Sequence, residues 1–173
     1  RIVDEYLSAE HATKSSVTWE KGKNPGDDIA ILHSANLVDS NSNRIEFATL
    51  EKSAGIEYTY EILKSGYCPV PNIHVYTSKG ECAFVSSAKI DNTISVPGIY
   101  KTIMRIPDHL LNEETYLVRI SLTTMSPIII HFSVMEALVF DVIEDLNNRE
   151  GDFNQKIPGV LRPLLNWETK KIQ

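Results

Sequence analysis

The side chains able to do chemistry in this chain are few and scattered. There are five histidines (His11, His33, His74, His109, His131), two cysteines (Cys68, Cys82) and two pairs of identical adjacent carboxylates, Asp27-Asp28 and Glu113-Glu114. Catalysis generally needs a closer grouping. A zinc peptidase spaces two histidines one helical turn apart in H-E-x-x-H, and a serine hydrolase raises its nucleophile on a G-x-S-x-G turn. Neither pattern occurs, nor does the phosphate-cradling G-x-x-x-x-G-K-[ST] loop. Paired acids could act as acid and base on a glycosidic bond, but both pairs here sit in turn-forming sequence, where solvation explains them. Neither cysteine has neighbouring cations to stabilise a thiolate, and two thiols are too few for a disulfide scaffold or a four-ligand zinc site. The expectation is no catalytic residue, no metal and no cofactor. What remains is recognition chemistry: aromatic rings to lie against sugar C–H faces, and planar polar groups to match pairs of hydroxyls.

Such groups need elements to position them. The 173 residues are 42% hydrophobic and 23% charged, with a net charge of −6 and acids and bases interspersed. That composition suits one globular domain. The basic patch of a nucleic-acid binder is missing, as is any apolar run near the length of a membrane span. A start on Arg1 suggests a fragment of a longer chain. Few thiols and no N-x-[ST] signal fit a reducing cytosol. Residues 1–28 read as a lead-in or linker with a short helix in "RIVDEYLSAEHATK". From Ile29 the apolar period is two. "IAILHSANL", "RIEFATL", "GIEYTYEIL", "IHVYTSKGECAFV" (a hairpin closed at Ser78-Lys79-Gly80), "GIYKTIMRI", "TYLVRISLTT", "PIIIHFSV", "ALVFDVI" and "GVLRPLLNW" all read as strand sequence. Only "VIEDLNNRE" has helical character. Short β-branched and aromatic segments with turns between them predict an all-β antiparallel sandwich of immunoglobulin-like or jelly-roll type over residues 29–173, with 159–167 as its C-terminal strand.

In such sandwiches a tyrosine at the head of a strand anchors the preceding corner through its hydroxyl. "RIPDHLLNEETYLVRISL" has that form: Leu111 plugs the core before the turn, and Tyr116, Val118, Ile120 and Leu122 face inward after it. Val118 stands where an antibody domain has its second cysteine. With Ile73, Val118 and Phe140 as inward anchors, alternation turns His74, Tyr76, Arg119, Ser121 and Asp141 outward on three strands that are neighbours in an immunoglobulin-like order. These five are the candidate carbohydrate-binding residues. An outward polar face is also what any solvated sandwich presents. Tyr58 and Tyr60 share a face with Ile56 and Ile62 and read as core.

"RIPDHLLNEETYLVRISL", "HFSVMEALVFDV" and "PGVLRPLLNW" together resemble the C-terminal domain of Wzt-type proteins, the ATP-binding subunits of ABC exporters for O-antigen-type polysaccharides. The resemblance runs from about Trp19 to Trp167; Glu114 departs from it, where that corner more often carries glycine. It implies a non-catalytic β-sandwich that binds the lipid-linked polysaccharide, commonly through a modified non-reducing end. It implies a cytoplasmic position beside the bacterial inner membrane, following a nucleotide-binding domain and working with the transporter's membrane subunit. A homodimer is also implied, with the C-terminal strand open to exchange between protomers. Two alternatives stand beside it: a jelly-roll enzyme of sugar-nucleotide metabolism, and a purely structural dimerisation module.

Overall fold

Alternation of apolar side chains decides the architecture, because each strand buries one face only. The computed structural model describes residues 12–145, 147 and 155–173. The anticipated N-terminal helix lies mainly outside the described residues, as does part of "VIEDLNNRE". In chain order the strands are β1 (Ser16–Thr18), β2 (Ala30–Asp39), β3 (Ala48–Thr49), β4 (Ala54–Ile62), β5 (Val70–Thr77), β6 (Cys82–Ser87), β7 (Gly98–Ile106), β8 (Glu114–Met125) and β9 (Ile128–Ile143). They form a four-stranded sheet, β1-β2-β4-β7, and a five-stranded sheet, β3-β9-β8-β5-β6. Among the described residues β3 runs parallel to β9 and every other strand pairing is antiparallel. The fold is an all-β sandwich.

The core lies between the sheets. Leu32, Leu37, Ile56, Tyr58, Tyr60 and Ile62 enter it from one sheet, and Val75, Tyr116, Val118, Ile120, Leu122, Leu138 and Phe140 from the other. Each large apolar side chain buried this way stabilises the fold by roughly 1.5–3 kcal/mol relative to exposure. Tyr58 also crosses the core to donate its hydroxyl to the Ser121 carbonyl (3.2 Å). Its neighbour Tyr60 stacks on Tyr100, and burial, with Tyr100 beside it, pushes the Tyr60 pKa up to about 12.

Three expectations from the sequence change. "RIEFATL" does not return along β2, because β1 and β4 already occupy both edges of that strand. Arg44 makes a single bridge to Val38, and the chain crosses to the other sheet as β3. "PIIIHFSV" and "ALVFDVI" are one strand, β9, whose pairing with β8 shifts between Val118 and Ile120; Glu136 there takes φ 49°. The C-terminal strand 159–167 is not a strand in this single chain. It forms an isolated bridge, Leu111 to Leu161, after which the tail makes no regular pairing. Within the stretch read as a lead-in, β1 pairs with β2 and Lys14 bridges Val139 of the other sheet, so this segment is woven into both sheets.

The tyrosine corner is present. The Tyr116 hydroxyl lies 3.1 Å from the Asn112 carbonyl and 2.9 Å from the Val160 carbonyl, so one proton is shared between two acceptors. Burial, then the nearby Glu114 charge, raise its pKa, which keeps the hydroxyl a donor. Tyr116→Phe is expected to keep the fold and lower stability by about 1 kcal/mol, the scale of one net hydrogen bond. An unchanged urea midpoint would show that the hydroxyl adds nothing to the corner.

Candidate functional site

β5, β8 and β9 are neighbours, so their outward side chains share one face. His74 pairs directly with Arg119 in the ladder between β5 and β8. The His74 and Tyr76 rings lie near parallel, 22° apart with centroids 6.2 Å apart, and the Tyr76 hydroxyl is 3.2 Å from His74 Nδ1. Arg119 places its guanidinium carbon 5.6 Å above the Tyr76 ring, within cation–π range. Its Nε also contacts Met135 Sδ. Met135 falls at the register shift of β9, and bulges commonly re-aim side chains in this way.

Partial burial, and then the positive charge of Arg119, lower the His74 pKa below its ordinary value. The imidazole is therefore neutral at pH 7, with one nitrogen to donate and one to accept. The arrangement joins a ring face, a fixed cation and a neutral imidazole. Its chemistry suits hydroxyl pairs or an anionic substituent on a sugar.

The other two sequence candidates are held differently. Ser121 is buried, with its Oγ 2.9 Å from Ser133 Oγ across the sheet. Asp141 accepts a hydrogen bond from Thr115 (2.5 Å). Thr115 is four residues from Arg119 along β8, roughly 13 Å at the rise of a strand. His74, Tyr76 and Arg119 thus come together; Ser121 lies beside them but is already bonded, and Asp141 stands apart.

One constellation escaped sequence reasoning. His131 Nδ1 lies 2.9 Å from Asp27 Oδ2, and its Nε2 2.7 Å from Thr124 Oγ1. The order carboxylate–imidazole–hydroxyl has the form of a hydrolase triad, yet the His131 side chain has no exposed surface, so no substrate reaches it. Asp27 Oδ1 also accepts the Ile29 and Ala30 N–H groups. Although partial burial acts to raise the Asp27 pKa, these bonds and the His131 contact hold it below the ordinary value. The set works as a clamp from the loop before β2 to the β8–β9 hairpin. A spacing of 104 residues gives no local signal for it. Among the described residues no group of three or more His, Cys, Asp or Glu side chains could hold a metal ion.

No family model matches the chain, and no curated protein matches it in sequence. A solved structure does match: the crystal structure of the C-terminal domain of Wzt aligns at a TM-score of 0.68 with 12% identity, over 91% of this chain and 91% of that one. The fold is that of the Wzt C-terminal domain. Agreement over nearly all of both chains means that the whole sandwich corresponds, not one shared hairpin. No helix of the described residues is long and apolar enough to cross a membrane.

Proposed function

We propose that this chain is the glycan-recognition domain of an ABC exporter's ATP-binding subunit, reading an O-antigen-type polysaccharide before transport. The observation that carries the proposal is the agreement in fold with the Wzt C-terminal domain across 91% of each chain. The His74–Tyr76–Arg119 cluster supports it with chemistry suited to sugars. In this reading the domain is non-catalytic. It follows a nucleotide-binding domain, works at the cytoplasmic side of the inner membrane with the transporter's membrane subunit, and binds the lipid-linked polymer at its modified non-reducing end. The exposed C-terminal tail, with Leu164, Leu165 and Trp167 open to solvent, supports a homodimer in which tails are exchanged.

The test is calorimetric titration of the domain with the polysaccharide of its own source strain, with and without the terminal modification. Tyr76→Ala and Arg119→Ala are each expected to weaken binding by roughly 1–3 kcal/mol, the range of interface hot spots. Both residues are partly exposed on a sheet face, so thermal stability should hardly move. Parental affinity in both variants would remove this face as the site.

A further inference from the structure

The loop between β1 and β2 runs along the edge of β2 beyond β1, where Gly26 forms a bridge to Ile31. The Trp19 N–H donates to the His33 carbonyl (2.9 Å) and the Leu32 N–H to the Pro25 carbonyl (2.8 Å). The Asn24 side-chain amide donates to the Leu32 carbonyl (2.9 Å). Gly26, at φ 150°, passes so close to β2 that a Cβ there would sit 2.2 Å from the Ala30 carbonyl oxygen. The Asp27–His131 clamp fixes the far end of the loop. Trp19, partly buried against the core, is thereby tied through its backbone to β2 at His33.

Between loop and sheet is a cleft of about 590 Å³ bordered by Trp19, Lys21, Asn24, Ile31, His33 and Glu61, within the usual range for small-molecule sites. The pairing of β2 with β4 slips between Leu32 and Ser34, leaving His33 as the extra residue of a bulge on the outer side. His33 Nε2 lies 2.8 Å from Glu61 Oε2, and the two side chains keep 31% and 33% of their surface open. Asn24 Nδ2 lies 3.4 Å from the other ring nitrogen of His33. One aromatic ring, an aliphatic floor and a linked row of amide, imidazole and carboxylate thus border one cleft.

We propose that this cleft is a second saccharide-contact site, taking one neutral hexopyranose ring. Trp19 covers a C–H face of the sugar, and Glu61 and His33 bond two adjacent hydroxyls. The ligand class rests on the carbohydrate reading above, but the site is on the opposite sheet from His74, Tyr76 and Arg119. A polymer could therefore be held on both faces of the sandwich.

The two faces report separately by NMR. Trp19 and Trp167 are the two tryptophans of the chain, so two indole N–H signals are assigned with Trp167→Phe, and His74 is followed by its ring carbon-bound protons. The probes are methyl glycosides of mannose, glucose, galactose and N-acetylglucosamine. At least one should shift the Trp19 indole saturably, and Glu61→Gln and His33→Ala should each weaken that response by about tenfold. Both substitutions lie on the sheet surface, and an unchanged amide spectrum elsewhere confirms the fold. A Trp19 signal that stays still with every glycoside while His74 moves overturns the second site and leaves the first reading standing. If neither moves, the second site fails, and the first reading is decided by the titration with the strain's own polysaccharide. A Trp19 shift that survives both substitutions at parental strength also overturns the proposal, because the polar pair then takes no part.

Discussion

Asn112→Ala should destabilise the domain by about 4 kcal/mol and leave the slope of its urea transition unchanged. Asn112 has 1% of its surface exposed. Its amide donates to the Ile157 carbonyl (2.7 Å) and the Gly159 carbonyl (2.6 Å), and its carbonyl oxygen accepts the Glu113 N–H (2.9 Å). Three bonds at about 1 kcal/mol each, with about 1 kcal/mol for the space left behind, make up the figure. Tyr116→Phe removes one shared bond and keeps the ring, so it should cost only about a quarter as much. The asparagine, more than the tyrosine, ties the corner to the C-terminal segment. A loss below about 1 kcal/mol would show that backbone contacts hold that segment unaided, among them the Asn112 N–H to the Val160 carbonyl (3.0 Å) and the Arg162 N–H to the Leu110 carbonyl (2.9 Å).

The same corner shows what a sequence makes legible. Tyr116 could be placed because its role depends on local spacing: a core leucine, a polar turn, then a strand. Its second acceptor, Val160, is 44 residues away and follows from no local rule. β4 was readable for the same reason as Tyr116. Ile56, Tyr58, Tyr60 and Ile62 alternate without interruption, and all four are buried. β9 was not, since its irregularity falls at Glu136, in "VMEAL", where neither glycine nor proline announces a break. There a non-glycine residue is held at positive φ by the ladder on either side of it.

The candidate site divides along that line. His74, Tyr76 and Arg119 converge because β5 and β8 pair in regular register through them. Asp141 faces outward on β9 as alternation requires, but which partner it meets depends on how far β9 has slid past β8, and the shift in pairing lies between Arg119 and Asp141. Ser121 also faces outward, yet Ser133 across the strand takes its hydroxyl. Facing is a property of one strand and is readable; adjacency belongs to two strands, and the bulges that set it leave little trace in composition.

Removal of residues 159–173 should yield a strongly destabilised monomer or aggregate, whereas removal of 163–173 alone should leave a stable monomer. The longer deletion takes away the carbonyls of Gly159 and Val160. It also takes Arg162, whose guanidinium grips Glu144 with two bonds of 2.7 and 2.8 Å. That carboxylate has 5% of its side chain exposed, and taking a two-bond guanidinium partner from a buried carboxylate is destabilising. The shorter deletion spares every one of these contacts. What it removes is an exposed part of the tail: Leu164, Leu165, Trp167 and Ile172 are 76%, 68%, 90% and 88% exposed. Covering such side chains is worth roughly 1.5–3 kcal/mol each, enough to offset much of the cost of association, which is on the order of 4–15 kcal/mol. Pro163 cannot donate to a ladder, which directs this segment to a sheet edge, and β6 and β7 are edge strands of the two sheets. Sedimentation equilibrium distinguishes the outcomes. The full chain should be a dimer, and the chain ending at Arg162 a monomer with nearly parental stability. A dimer that persists without residues 163–173, or a full chain that stays monomeric, would rule out tail exchange as the means of assembly.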